Sequence, residues 1–195
     1  MKKIYFALAM AVAFFAASTG AQAGLQEGIN AYRFGDFALA LKEFRPLADK
    51  GDADAQRFLG DMYSDGNGVT QSHKEAASWY LKAAKQGNAA AQYALGVMCD
   101  RGIGVKQNDK EAAAWYHKSA ELGNVEAQYS LGVMYQNGRG AVRKDIVQAH
   151  KWFSLAVANG FEIAEESVEE TQAKMSPEQI EKARAMVREW QSKHK

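Results

Sequence analysis

GNAAAQYALGVMCDRGIGVKQNDKEAAAWYHKSAEL, residues 87–122, decides how this chain is read. The same pattern stands on either side of it. Residues 51–86 read GDADAQRFLGDMYSDGNGVTQSHKEAASWYLKAAKQ, and residues 123–159 read GNVEAQYSLGVMYQNGRGAVRKDIVQAHKWFSLAVAN. Gly51, Gly87 and Gly123 recur at a spacing of 36, and one extra residue in the third unit moves the next glycine to Gly160. A period of this length marks a stack of identical supersecondary units, none of which can bury its apolar face alone.

Each unit divides into two helices. The first opens after the glycine and ends near Asp65, Arg101 and Asn137. Gln56, Leu59, Gly60 and Tyr63 are spaced i, i+3, i+4, i+7, which places them on one helix face. Ala91-Gln92, Leu95-Gly96 and Ala127-Gln128, Leu131-Gly132, Tyr135 are their counterparts. Gly60, Gly96 and Gly132 fall inside the helix, where glycine costs about 0.5–1 kcal/mol against alanine. A cost repeated in every unit implies a packing reason, namely close approach of a neighbouring helix.

The linking loop carries Gly66-Asn67-Gly68, Gly102-Ile103-Gly104 or Gly138-Arg139-Gly140. The first glycine stands where a helix end turns left-handed, and Val69, Val105 and Val142 are expected to tuck under the loop. A phosphate loop is a poor reading, because no strand precedes the glycines and no Lys-Ser/Thr follows them. Second helices are expected at about 73–86, 109–122 and 145–159, with Asp109 and Asp145 as caps. Trp79-Tyr80, Trp115-Tyr116 and Trp152-Phe153 recur in register there. Such pairs serve either as ligand platforms or as core, and their fixed position favours core.

A-x-A-Q-x-x-L-G-x-M-Y, then G-x-G-V, then E-A-A-x-W-Y-x-K-A-A closely resembles the Sel-one-like repeat family, relatives of the tetratricopeptide repeats. The resemblance implies an all-α, α/α solenoid: a right-handed superhelix of helix-turn-helix repeats whose first helices line a concave face. It also implies protein binding rather than catalysis. Some exported, cysteine-rich members of the family are linked to penicillin binding or β-lactam hydrolysis, and others are host-contact factors. Those cysteine-rich members carry paired cysteines in each repeat, whereas Cys99 is the only cysteine here.

Outside the repeats, residues 24–50 read as a helical hairpin turning at Phe34-Gly35-Asp36, with Pro46 expected to kink its second helix. Residues 160–195 read as a degenerate repeat followed by a capping helix. There Phe161 to Thr171 is expected to keep a first-helix length. Ser176 is placed as N-cap with Pro177 at the first helical position. Ile180, Ala183, Met186, Val187 and Trp190 form the buried stripe of that last helix, and Gln191 to Lys195 are expected to fray. At the other end, Lys2-Lys3, the apolar run Ile4 to Ala17, and Ala21-Gln22-Ala23 read as a signal peptide, residues 1–23, cleaved between Ala23 and Gly24. That run is too short for a comfortable membrane span. Export by this route points to the periplasm of a Gram-negative bacterium or to secretion. No stable membrane insertion is expected once the signal is removed, and the fold must hold without an intramolecular disulfide.

Charge and motif content exclude several classes of function. The 24 Lys and Arg balance 23 Asp and Glu, which argues against nucleic acid as partner. His73, His117, His150 and His194 occupy unrelated repeat positions, and no H-E-x-x-H or C-x-x-C is present, so no metal or cofactor is expected. No nucleophile motif appears either. The expected function is an exported, non-enzymatic, monomeric scaffold or adaptor that binds a protein or peptide. The alternatives are a cell-wall-related enzyme or ligand binder of the β-lactamase-like kind, or a secreted host-interaction factor. Binding belongs at first-helix positions that differ between units: Arg57, Asp61 and Ser64; Tyr93, Val97 and Asp100; Tyr129, Val133 and Gln136. Tyrosine is enriched in interface hot spots.

Overall fold

A computed structural model of the chain describes residues 22–140 and 142–194. The residues read as a signal peptide lie outside this range, apart from Gln22 and Ala23. Ala23 and Gly24 are helical here, in the first turn of α1, residues 22–33. Next come α2 (Phe37–Asp49), α3 (Ala53–Asp65), α4 (His73–Lys85), α5 (Ala89–Arg101), α6 (Asp109–Glu121), α7 (Val125–Asn137) and α8 (Ile146–Ala158). A 3-10 turn (Glu162–Ala164), α9 (Glu165–Gln172) and α10 (Pro177–Lys193) complete the order. The described residues contain helices and no strand.

Each first helix begins in the same way. Asp52, Asn88 and Asn124 accept hydrogen bonds from the N–H of Ala55, Ala91 and Ala127 at 2.8–2.9 Å, satisfying a donor that the helix start leaves free. Each ends on a left-handed glycine, Gly66, Gly102 or Gly138, whose N–H reaches the carbonyl of Met62, Met98 or Met134. Among the second helices, Asp145 caps α8 as expected, but α6 is capped by Asn108 and not by Asp109. Asparagine fits the same geometry, and Asp109 enters the first turn, where its charge still favours the helix dipole.

The chain forms two compact units that meet in sequence at Ala83–Ala84. In the first, Phe44 and Phe58 stack at 4.7 Å within a core of Ala40, Leu47, Leu59, Met62 and Trp79. In the second, Leu131, Met134, Trp152, Leu155 and Tyr116 form the main core, which Trp190 of α10 joins. The valines after the loops do pack against these cores: Val69 in the first unit, Val105 and Val142 in the second.

The in-helix glycines have a common explanation. A Cβ on Gly60, Gly96 or Gly132 would stand 2.5–2.6 Å from the ring of Tyr80, Tyr116 or Phe153. The aromatic of the second helix therefore lies flat on the bare backbone of the first. Of the six paired aromatics, only Trp115 is not buried. The buried glutamines repeat as regularly. Gln56, Gln92 and Gln128 donate through Nε2 to the carbonyls of Ala48, Ala84 and Ala120 at 3.0–3.2 Å. These carbonyls lie in the last turn of the preceding helix, where no intrahelical donor remains.

The C-terminal segment departs from expectation in two places. After Gly160 the chain makes a single 3-10 turn and an eight-residue helix, not a first helix of full length. No side chain caps α9, and without a Leu-Gly pair it lacks the close contact that extends the others. At the other end, α10 continues to Lys193 instead of fraying at Gln191, held by the Lys193–Glu189 pair at 2.6 Å. Its start is as read: Ser176 and Gln179 form a capping box, with Pro177 in the first turn.

Candidate binding site

The nine residues singled out on the first helices are all half-buried. In the first unit two of them are spent on each other. Arg57 pairs with Asp61 through one carboxylate oxygen, and Tyr80 donates its hydroxyl to the other at 2.7 Å. Burial pushes the Asp61 carboxyl above its usual range, against the pull of Arg57 and of the Tyr80 hydrogen bond. Ser64 lies one turn further along α3.

In the second unit five of the nine converge. Tyr93, Val97 and Asp100 of α5 and Tyr129 and Val133 of α7 line one hollow of about 170 Å³. Gln136 does not reach it. The other lining residues are Arg101, Tyr116, Ser130, Met134 and Arg139. Sequence reading missed these for definable reasons. Tyr116 belongs to a recurrent pair and read as core. Arg139 is the middle residue of a Gly-x-Gly loop and read as linker.

The loop places Arg139 by a close approach. Gly140 has a φ of +70°, and a Cβ there would meet the Asp109 carbonyl at 2.5 Å. The loop thus sits directly on the start of α6. Arg139 then reaches Asp100 at 2.7 Å and Asp109 at 3.2 Å, and these hydrogen bonds raise its pKa further. Tyr93 and Tyr116 lie 5.8 Å apart, and Tyr129 packs on Phe153 and Phe161 at 5.5 Å. The hollow therefore has an apolar floor, aromatic walls and a rim bearing two arginines and one aspartate. Pockets of this make-up bind an apolar group and fix its orientation with a few polar contacts.

The histidines are less scattered than their repeat positions implied. His117 and His194 each approach Glu121 at 4.0 Å. Among the described residues, no group of three or more His, Cys, Asp or Glu side chains is placed to hold a metal ion. Cys99 is buried, and burial with the nearby Glu111 carboxylate pushes its thiol pKa up, which favours the unreactive thiol. No helix among the described residues is long and apolar enough to cross a membrane.

Recurrent helix pairs of this kind, stacked through glycine and aromatic contacts, define the α/α solenoid class. The Sel1 repeat pattern matches residues 53–88, 89–124 and 125–161, more than half of the chain, which belongs to the Sel1 repeat family. A Sel1 repeat protein from Oxalobacter formigenes is similar in structure, with a TM-score of 0.69 and 32% identity. The match covers 72% of this chain and 58% of that one. A protective antigen present in uropathogenic Escherichia coli strains matches with a TM-score of 0.60 and 28% identity, over 87% and 46% of the two chains. Cysteine-rich protein B of Helicobacter pylori matches at 0.51 and 25%, over 66% and 92%. Among curated proteins, an exopolysaccharide production negative regulator of Rhizobium leguminosarum bv. viciae is 38% identical over 58 residues, which is 30% of this chain. The matched stretch spans 22% of that regulator's length. Proteins of this family are generally scaffolds for protein interaction, and the fold is typically non-enzymatic.

Proposed function

We propose that this protein is an exported, non-enzymatic adaptor that holds a protein or peptide partner on the face formed by α5 and α7. The convergence of Tyr93, Val97, Tyr129 and Val133 on one hollow carries this reading. These positions differ from their first-unit counterparts, and tyrosines beside an apolar hollow are what hot spots use. Family membership supports the general role. The charged-apolar-small pattern at the N-terminus supports export to the periplasm or beyond.

The test is crosslinking of the tagged full-length protein in cells, followed by identification of what is attached. A discrete partner is expected, and Val97→Lys combined with Val133→Lys should abolish its capture without lowering the unfolding midpoint by much. Capture that persists in the double variant would move the binding surface elsewhere. N-terminal sequencing of the exported protein should begin at Gly24, and an intact Met1 on all molecules would refute cleavage. Turnover of a chromogenic β-lactam by the purified protein would overturn the non-enzymatic reading.

A further inference from the structure

The first unit contains a template for what the second unit lacks. Asp61 holds its carboxylate between Arg57 and the hydroxyl of Tyr80. One repeat later, Tyr116 stands where Tyr80 stands, but Val97 replaces Asp61 and Tyr93 replaces Arg57. The donor has been kept and its acceptor removed. Tyr116 is 3% exposed, lines the hollow and has lost the carboxylate that Tyr80 bonds. Burial also keeps this phenol protonated, with Asp100 the largest of the nearby charges.

A cation stands beside it. Arg101, on the rim of the same hollow, takes the position of Asp65 and has no ion pair among the described residues. The other charges there are already matched, since Arg139 binds Asp100 and Asp109. Tyr93 is hydrogen-bonded to Ser130, with the Glu126 charge nearby. The third repeat has Phe153 at the tyrosine position and so carries no hydroxyl. Among the described residues, the middle repeat places the Tyr116 phenol and the Arg101 guanidinium on one hollow, with a valine where the first repeat has Asp61. A second hollow of about 330 Å³, between α8 and α9, has Glu165 and Glu169 among its lining residues and offers no such donors.

We propose that the hollow between α5, α6 and α7 receives an Asp or Glu side chain of a protein partner. Its carboxylate is bound by Arg101 and Tyr116 as Asp61 is bound by Arg57 and Tyr80. An apolar residue next to it in the partner rests on Val97, Val133 and Met134, between the rings of Tyr93 and Tyr129. This rests on the adaptor reading and names the chemistry of its partner.

The experiment pans a display library of short random peptide segments, fused at both ends, over the full-length protein. Binders are expected to carry Asp or Glu beside an aliphatic or aromatic residue. Arg101→Met and Tyr116→Phe should each weaken those binders by about tenfold, the loss of one hydrogen bond to a charged group. Val97→Asp is the sharpest variant. It restores the Asp61 carboxylate, one turn before Arg101 and facing Tyr116, so it should fill the site from within. Binding is then expected to vanish while the unfolding midpoint holds or rises. Binders lacking acidic residues overturn the proposal, and so do acidic binders indifferent to Arg101→Met and Val97→Asp. If the library yields nothing while a partner is captured in cells, the carboxylate site falls and the adaptor stands. If neither yields a partner, both fall.

Discussion

A methyl group on Gly96 would sit 2.5 Å from the ring of Tyr116, which is itself only 3% exposed. Two effects compete in Gly96→Ala. Alanine improves helix propensity by about 0.5–1 kcal/mol. Overpacking a tight contact costs about 1–3 kcal/mol. The contact should win, so urea denaturation is expected to show a lower midpoint with an unchanged slope. A raised midpoint would mean that the aromatic does not lie on bare backbone. Gln128 makes a second test at this scale. It is fully buried, donates to the Ala120 carbonyl at 3.2 Å and accepts from Asn159 at 3.1 Å. Gln128→Leu removes both bonds, each worth about 0.5–1.5 kcal/mol net, and should lower the midpoint in the same measurement.

At the scale of elements, α10 is the piece whose contribution is easiest to isolate. Trp190 is buried in the core of the second unit and donates its indole N–H to Glu121 at 3.0 Å. Trp190→Ala removes that area and the bond, and a buried tryptophan replaced by alanine costs about 3–5 kcal/mol. Circular dichroism melts should show the loss, and ordinary stability in that variant would detach α10 from the core. This helix was legible in sequence because its signals are local: a Ser-Pro start and a stripe of apolar residues at helical spacing. The six repeat helices were legible for a different reason, since three copies average out the accidents of any one. What was not legible lies in contacts between distant residues. The role of Gly96 depends on Tyr116, 20 positions away, and the role of Arg139 on Asp100, 39 positions away. No periodicity within one helix encodes either pair. Segment α9 was misjudged because length alone was extrapolated from intact repeats to one without the Leu-Gly contact.

For the whole molecule, stability has to come from packing and hydrogen bonding, because the single cysteine rules out an intramolecular disulfide. Its response to pH then sums contributions from both units, and Asp61 and His150 act in opposite senses. In the first unit, burial raises the Asp61 carboxyl above its usual value. Such a group adds stability at low pH and loses it as pH rises through the folded pKa. In the second unit His150 is 3% exposed, with Nδ1 2.9 Å from the Thr171 hydroxyl. Burial lowers its pKa, Arg184 lowers it further, and a hydrogen bond to the Val168 backbone partly opposes them. The unfolded chain therefore takes up this proton before the folded one does. Stability from His150 is complete above about pH 6.5, the usual histidine value. It is lost progressively as pH falls below that, through the folded pKa. Ordinary carboxylates titrate near pH 4, so mild acid reports mainly on His150. The wild-type melting temperature should drop between pH 7.5 and 5.5, and His150→Leu should flatten that drop while leaving any rise from Asp61 intact. An equal fall in both proteins would place the acid sensitivity outside the α8–α9 contact. A flattened curve would locate it there, where the last repeat helix meets the segment that no longer follows the repeat pattern.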